Sequence, residues 1–374
     1  MNGAQAERVR VFLVHWLFTA LYGLALDEYL ALLRRHHFAV DAPYLPRSAF
    51  MLLSCTLTSL IRAYEDRRYG PEIADVKVRE PLFILGHWRS GTTYLHNLLA
   101  LDKRFAHPNV WRVLNPHTFL STERYSDIVK LVSPRTRLID SVDLGADVPF
   151  EDEYATCGTL CSPVLAGALP RAAEHYDRYL TFRGVPEEEV ARWQKSLMLF
   201  YKKMTWKFGR PLVLKSPPHT CRIRLLLEMF PDARFVHIHR DPYAVFRSTR
   251  GTIRTDKTLC LQEASDSPDP DARIIRRYRI MYDSFFEERH LIPEGRFHEL
   301  SFEELERDPV GVVRRIYEHL DIHGFEEFEP SLKRYVGSVS GYRKNEFPEL
   351  PETLREKIAH AWERSFEEWE YPRS

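Results

Sequence analysis

The segment over residues 81–99, PLFILGHWRSGTTYLHNLL, combines residue types that bind a phosphate group. An apolar strand leads into a loop framed by Gly86 and Gly91, and a helical pattern follows. This arrangement directs backbone N–H groups and the positive end of a helix at one spot. The glycine spacing matches the loop that binds nucleotide triphosphates, but Thr92 replaces its lysine, and the cation Arg89 lies inside the loop. We therefore expect the loop to bind a 5′-phosphate group on a ligand other than ATP.

A second anion site is predicted in the segment ARFVHIHRDPYAVFRSTR, residues 233–250. Its alternating strand ends at Arg240, Asp241 and Pro242 open a helix, and Ser248 follows two turns later. A guanidinium at a strand tip offers a forked set of donors, and a hydroxyl on the following helix adds another. The pair predicts a site for a second phosphate.

The two segments together resemble the paired signature of sulfotransferases that use 3′-phosphoadenosine 5′-phosphosulfate. The signature reads strand-GxxRSGTT-helix, then strand-Arg-Asp-Pro-helix-Ser, and the resemblance covers about residues 80–345. It implies that Arg240 and Ser248 bind the 3′-phosphate of the nucleotide. It also implies that the first loop binds the 5′-phosphosulfate through His87, Trp88, Arg89, Ser90, Gly91, Thr92 and Thr93.

Three further segments are similar to parts of the same family. LVLKSPPH would place Lys215 beside the sulfuryl group, and ELSFEELERDPVGVVRRIYEHL would place Phe302 near the adenine. The basic segment VGSVSGYRKN, residues 336–345, would bring Arg343 and Lys344 to the 3′-phosphate. It departs from the cytosolic members of the family, which continue with Gly-Asp-Trp-Lys.

The missing loop lysine has a chemical explanation. A sulfuryl group carries less charge than a triphosphate, so protein cations can replace the Mg²⁺ that ATP requires. Arg89 and Lys215 would neutralise the charge that develops on the leaving oxygen. The five cysteines follow no zinc spacing and indicate reduced thiols. We predict a sulfuryl donor as co-substrate and no metal requirement.

Removing the proton of an acceptor hydroxyl requires a base, and two candidates are present. His117, in LNPHTFL, has the side chain best suited to proton transfer near neutral pH. Glu151 and Glu153, in PFEDEYA, are the alternative, because some members of the family use glutamate. The sequence favours neither strongly.

The chain from Pro81 onwards alternates short apolar runs with amphipathic helices, which indicates an α/β fold. The resemblance implies a three-layer P-loop-like fold with a central parallel sheet. We predict an N-terminal helical extension over residues 1–75 and a sulfotransferase domain over 76–374, with a helical cap over 106–209. The predicted strands are Leu82–Leu85, Leu212–Lys215, Arg234–His239 and Arg296–Ser301, and a single final helix is predicted over Pro351–Tyr371.

The N-terminal region contains two apolar stretches, Val11–Leu26 and Ala49–Ile61. The first is shorter than the roughly 20 residues of a membrane span. The pair predicts helices that pack on the domain or contact a membrane peripherally through residues 11–61; an anchor or a cleaved signal is the alternative. We expect a cytoplasmic protein and leave association with a membrane open.

The chain contains 53 lysine and arginine residues and 53 aspartate and glutamate residues. Its formal net charge is therefore zero, and no overall positive potential attracts nucleic acid. A hydrophobic small-molecule alcohol, such as a sterol or lipid, is the expected acceptor, because aromatic residues populate the predicted cap: Trp111, Phe119, Trp193, Phe200, Tyr201 and Trp206. Arg276, Arg277 and Arg279 are predicted to form a charged helix face.

The competing interpretations of the function are a P-loop kinase and a membrane-associated nucleotide-binding scaffold without catalysis.

Overall fold

The fold is that of a computed structural model, which describes residues 21, 23–127, 147–253, 260–263, 269–339 and 348–373. The chain forms two compact units. The first, here the helical unit, comprises Met1–Lys77, Pro108–Gly209 and Thr255–Ser267. The second, here the sheet unit, comprises Val78–His107, Arg210–Arg254 and Pro268–Ser374. Both predicted phosphate motifs belong to the sheet unit, whereas the predicted extension and nearly all of the predicted cap belong to the helical unit.

The described strands are β1 (Leu82–Leu85), β2 (Val213–Lys215), β3 (Arg234–His239) and β4 (Phe297–Ser301). The described α-helices are α1 (Leu26–Arg35), α2 (Leu45–Ala74), α3 (Thr92–Ala100), α4 (Val110–Leu114), α5 (Phe119–Thr122), α6 (Leu165–Ala168), α7 (Ala173–Asp177), α8 (Glu187–Phe208), α9 (Ile223–Met229), α10 (Pro242–Ile253), α11 (Pro270–Glu288), α12 (Phe302–Arg307), α13 (Pro309–His319), α14 (Phe325–Val339), α15 (Glu352–Ala361) and α16 (Glu363–Glu368).

The sheet unit is built on a parallel sheet with the strand order β2-β1-β3-β4. Strand β1 is buried along its whole length, as expected for a strand covered by helices on both faces. Its residues Leu82 and Ile84 pack in one core with Leu95 and Leu98 of α3 and Val312 of α13. The predicted α/β class with a central parallel sheet is confirmed, and the predicted strands match to within one residue at each end.

The parallel arrangement brings the predicted nucleotide residues to one edge of the sheet. Lys215 is the last residue of β2, the glycine loop follows β1, Arg240 follows β3, and Phe302 follows β4. Because the carboxyl ends of parallel strands share an edge, the four strands present these residues on the side where open α/β sheets bind ligands.

The predicted single helix over Pro351–Tyr371 is wrong, because the chain forms α15 and α16 with a break at Trp362. The Trp362 indole is buried, donates to the Ile275 carbonyl at 3.0 Å and stacks on Tyr278 at a centroid distance of 3.7 Å. These contacts fix the position of the Trp362 side chain, and the helix is interrupted at this residue.

The helical unit buries most of the aromatic residues on which the prediction of a hydrophobic acceptor rested. Phe119, Trp193, Phe200 and Tyr201 have almost no exposed surface, and the Phe119 and Phe200 rings lie 5.8 Å apart. Their role in the structure is core packing within this unit, so they do not by themselves indicate an acceptor pocket. Among the helices in the described part of the chain, none combines the length and the apolar character needed to cross a membrane.

Candidate active site

The loop between β1 and α3 contains three residues with positive backbone φ angles, which few residue types adopt. Gly86 and Gly91 have φ angles of 146° and 97°, and Arg89 has a φ of 71°. A left-handed conformation at a residue other than glycine is uncommon and costs about 1–3 kcal/mol. Gly91 is the N-cap of α3, so the loop delivers the chain directly to a helix N-terminus. The first-turn amides of such a helix have no carbonyl partner within the helix and favour an anion.

The two glycines also lie where a side chain has no room. A Cβ at Gly91 would lie 2.4 Å from Cδ2 of Phe302, and one at Gly86 would lie 2.6 Å from the carbonyl oxygen of Ile238. Both distances are shorter than van der Waals contact. The loop therefore requires glycine at these positions on steric as well as conformational grounds.

We expect Gly91→Ala to lower the free energy of unfolding by about 2–4 kcal/mol, because the substitution adds steric overlap to an unfavourable φ. Chemical denaturation monitored by circular dichroism measures this change. The matched control is Gly70→Ala in α2, where an added Cβ meets no atom within 4 Å. That substitution is expected to stabilise the protein slightly, since alanine favours a helix by about 1 kcal/mol over glycine. Equal effects of the two substitutions would contradict the geometry.

Hydrogen bonds from neighbouring elements hold the loop. The Gly86 N–H donates to Oγ1 of Thr220 at 2.7 Å, and the His87 N–H donates to the Tyr282 hydroxyl at 3.2 Å. The Ser90 hydroxyl donates to the His87 carbonyl at 2.7 Å. Thr220 and Tyr282 were not identified from the sequence, because nothing in their local pattern indicates a partner so distant along the chain.

His87 contributes to the loop as a neutral side chain. Its ring is buried, and Nδ1 donates to the Trp88 carbonyl at 2.7 Å. Burial lowers the pKa of His87 to about 3, against a smaller opposing effect of this hydrogen bond. The ring therefore carries no charge near neutral pH. The positive charge of the loop comes from Arg89.

Arg89, Ser248 and Arg240 form one cluster. Nε of Arg89 donates to Oγ of Ser248 at 2.8 Å, and Nη1 of Arg240 donates to the carbonyl oxygen of Arg89 at 3.1 Å. The Arg240 guanidinium lies over the Phe302 ring at 4.4 Å from its centroid. Residues predicted for the two phosphates and for the adenine, taken from three separate segments, therefore lie in contact.

The electrostatics of Arg240 suit an anion. Burial lowers the pKa of Arg240, Glu303 opposes that effect, and the like charge of Arg89 adds to it. The two positively charged guanidinium groups repel each other, and a phosphate placed between them would stabilise the charged form of both. The two cations and the hydroxyl beside the glycine loop have the chemistry needed to bind a phosphate group.

The remaining predicted nucleotide residues have varied surroundings. Thr92 is buried and Thr93 half-buried in the first turn of α3, and Lys215 is buried at the end of β2, in register with Ile84. Trp88 lies under the Arg277 guanidinium at 4.8 Å. Arg277, predicted as part of a charged face of the long helix α11, thus also packs on the glycine loop. Arg343 and Lys344 lie outside the described residues.

The candidate bases both belong to the helical unit. Nε2 of His117 lies 2.9 Å from Oε2 of Glu28, and both side chains are largely buried. Burial favours the protonated form of Glu28, but the hydrogen bond and charge of His117 outweigh it, so the pKa of Glu28 is lowered. Glu153 is fully buried and Glu151 half-buried, which excludes the solvated face typical of an acidic run.

Comparison with known proteins identifies the family. A model described as the sulfotransferase family matches residues 81–327 of this chain, a span that includes the glycine loop, Lys215, Arg240, Ser248 and Phe302. The chain belongs to the sulfotransferase family, as its motifs predicted, and it is an enzyme of that class. Membership implies 3′-phosphoadenosine 5′-phosphosulfate as the sulfuryl donor.

Curated relatives agree with this assignment, and a solved structure agrees with the fold. An omega-hydroxy-beta-dihydromenaquinone-9 sulfotransferase of Mycobacterium tuberculosis is 32% identical over 363 residues, which cover 96% of this chain and 92% of that protein. Human carbohydrate sulfotransferase 6 is 25% identical over 75% of this chain and 74% of its own length. The crystal structure of the sulfotransferase STF9 from Mycobacterium avium superposes with a TM-score of 0.71 at 21% identity, covering 92% of this chain and 96% of that one.

Proposed function

We propose that this enzyme transfers a sulfuryl group from 3′-phosphoadenosine 5′-phosphosulfate to the hydroxyl of a hydrophobic, lipid-like alcohol. The observation that carries the nucleotide half of the proposal is the contact between Arg89, Ser248 and Arg240 at the carboxyl edge of the sheet. The acceptor half is supported by the relative at 32% identity, which is named as a sulfotransferase of omega-hydroxy-beta-dihydromenaquinone-9.

The proposed donor contacts follow the positions of the residues. The glycine loop and the N-terminus of α3 hold the 5′-phosphosulfate, with Thr92 and Thr93 adding hydroxyl donors. Arg240 and Ser248 hold the 3′-phosphate, and Phe302 lies against the adenine. Arg343 and Lys344 are proposed to reach the 3′-phosphate from the segment after α14.

The proposed reaction is an in-line displacement at sulfur. The acceptor oxygen forms a bond to sulfur while the bond from sulfur to the bridging phosphate oxygen breaks, giving a sulfate ester and adenosine 3′,5′-bisphosphate. Negative charge develops on the leaving oxygen, and Arg89 and Lys215 stabilise it. The acceptor proton passes to a base of the protein.

We propose His117 as that base and Glu28 as the residue that positions it. A carboxylate beside Nε2 holds the proton on that nitrogen and leaves the lone pair of Nδ1 to accept a proton. Glu28 would then also stabilise the imidazolium that forms. Glu151 and Glu153 remain the alternative, with Glu153 the more deeply buried of the two.

The acceptor class is tested by incubating the purified full chain with ³⁵S-labelled donor and either a long-chain isoprenoid alcohol or a soluble N-acetylglucosamine oligosaccharide. We expect label to enter the organic phase with the isoprenoid alcohol and only background incorporation into the oligosaccharide. The reverse preference would contradict the lipid-like acceptor while leaving the sulfotransferase assignment intact.

Turnover is expected to persist in excess EDTA, because the proposed charge stabilisation comes from Arg89 and Lys215 rather than from a divalent ion. The measurement is the initial rate of adenosine 3′,5′-bisphosphate release before and after chelation. Complete loss of activity that Mg²⁺ restores would contradict this mechanism and favour kinase-like metal chemistry.

A further inference from the structure

Helix α2 exposes an apolar face along most of its length. Among the described residues, the exposed large hydrophobic side chains are Phe38, Leu45, Phe50, Leu52, Leu53, Leu57, Leu60, Tyr64, Tyr125 and Leu199. All but the last two fall between Phe38 and Tyr64. Leu53, Leu57, Leu60 and Tyr64 follow the spacing of one helix face, and Leu53 and Leu60 are 68% and 66% exposed. We call this surface, from Leu45 to Tyr64, the α2 face.

The opposite side of α2 is buried, and it combines the apolar residues Met51 and Cys55 with polar groups that have partners. Arg47 donates to the Cys260 carbonyl at 2.6 Å, and Ser48 shares a hydrogen bond with the Tyr29 hydroxyl at 2.7 Å. Glu65 accepts from Nζ of Lys203 at 3.0 Å. The buried side of α2 thus mixes polar and apolar groups, while its exposed side carries most of its leucines. Core packing within the unit does not account for the leucines.

The α2 face offers almost nothing to a polar partner. Every exposed residue of α2 between Leu45 and Leu60 is uncharged. The hydroxyl of Thr56, which lies on the face, donates to the Leu52 carbonyl of its own helix at 2.7 Å. Interfaces between proteins average about one hydrogen bond per 100–200 Å². A face with so few available donors and acceptors suits hydrocarbon better than a protein surface.

The helix positions that continue the α2 face beyond Tyr64 are basic. Arg67 and Arg68 lie three and four residues on and are exposed. Arg68 pairs with Glu72 at 3.6 Å, whereas Arg67 forms no ion pair with any residue in the described part of the chain. Long basic side chains at the end of an apolar stripe can extend to lipid phosphates while the stripe lies in the acyl region.

We propose that the α2 face docks on the surface of a lipid bilayer that contains anionic lipids, with α2 lying in the plane of the interface. The leucines enter the boundary between headgroups and acyl chains, and Arg67 and Arg68 meet the phosphates. The proposal goes beyond the sulfuryl-transfer function and does not depend on it. Docking would hold the enzyme at the membrane surface, where lipid-like alcohols are found.

The test is flotation of the full chain with vesicles made of equal parts phosphatidylcholine and phosphatidylglycerol. The variant carries Leu53→Gln, Leu57→Gln and Leu60→Gln, which keep net charge and helix propensity. The matched control carries Tyr125→Gln and Leu199→Gln, the two exposed apolar residues outside the cluster. We expect the wild type and the control to float with the vesicles. The vesicle-bound fraction of the triple variant should be about tenfold or more below that of the wild type.

Three outcomes would overturn the proposal: a wild type that does not float, a triple variant that floats equally, or a control that loses as much as the triple variant. A wild-type dimer in light scattering that the triple variant makes monomeric would instead assign the face to a second copy of the chain. Circular dichroism checks that the triple variant is folded; if it is not, Leu53→Gln alone replaces it. Flotation needs neither donor nor acceptor, so a failed sulfuryl-transfer assay leaves the result interpretable.

Discussion

Replacing Lys215 by methionine is expected to lower turnover by about 10²–10³-fold while affinity for adenosine 3′,5′-bisphosphate changes much less. Lys215 ends β2 beside the glycine loop, and its charge is proposed to act on the oxygen that becomes anionic as the S–O bond breaks. An interaction that strengthens in the transition state affects turnover more than ground-state binding. Methionine keeps most of the length of the buried side chain and removes the ammonium group with its charge and its hydrogen-bond donors.

Single-turnover kinetics and calorimetry on the same preparation separate the two effects of the Lys215 substitution. Lys333→Met is the matched control, because Lys333 is 61% exposed and pairs only at the surface with Glu329. It should leave both quantities unchanged. A loss confined to nucleotide affinity would make Lys215 a binding residue without a role in the chemical step.

His117→Ala is expected to lower turnover by about 10²–10⁴-fold with nucleotide affinity retained, the range typical of a lost general base. Glu153→Gln should lose much less. The measurement is turnover as a function of pH at saturating donor.

Glu28→Gln distinguishes a positioned base from a merely structural histidine. If Glu28 positions His117, Glu28→Gln should lower turnover while nucleotide affinity is retained, since the amide can accept the same hydrogen bond but cannot stabilise the imidazolium by its charge. A larger loss for Glu153→Gln than for His117→Ala would contradict the assignment and favour the carboxylate.

The parallel sheet and its site edge were predictable because local chemistry determines them. Strands covered on both faces read as continuous apolar runs, as in LFIL of β1. Gly86 and Gly91 mark a loop because the backbone there needs positive φ. The placement of Arg240 and Ser248 near one another was predictable because a strand tip and the following helix lie side by side in any parallel α/β unit.

Other parts of the site depend on contacts that have no local signature. Glu28 precedes His117 by 89 residues, and only the tertiary fold makes them partners. Thr220 and Arg277 contact the glycine loop from elements whose patterns specify a helix but not its neighbour. The aromatic residues of the helical unit were misjudged for the same reason, since composition does not distinguish the lining of a pocket from a core.

The most direct test of the central claim, that this sheet edge binds a 3′-phosphorylated nucleotide, is calorimetry of the wild type and Arg240→Ala with adenosine 3′,5′-bisphosphate and with adenosine 5′-monophosphate. The account predicts that the substitution weakens binding of the bisphosphate by about 1.5–3 kcal/mol, the contribution of a hydrogen bond to a charged group, and hardly affects the monophosphate. Equal losses for the two ligands would contradict it.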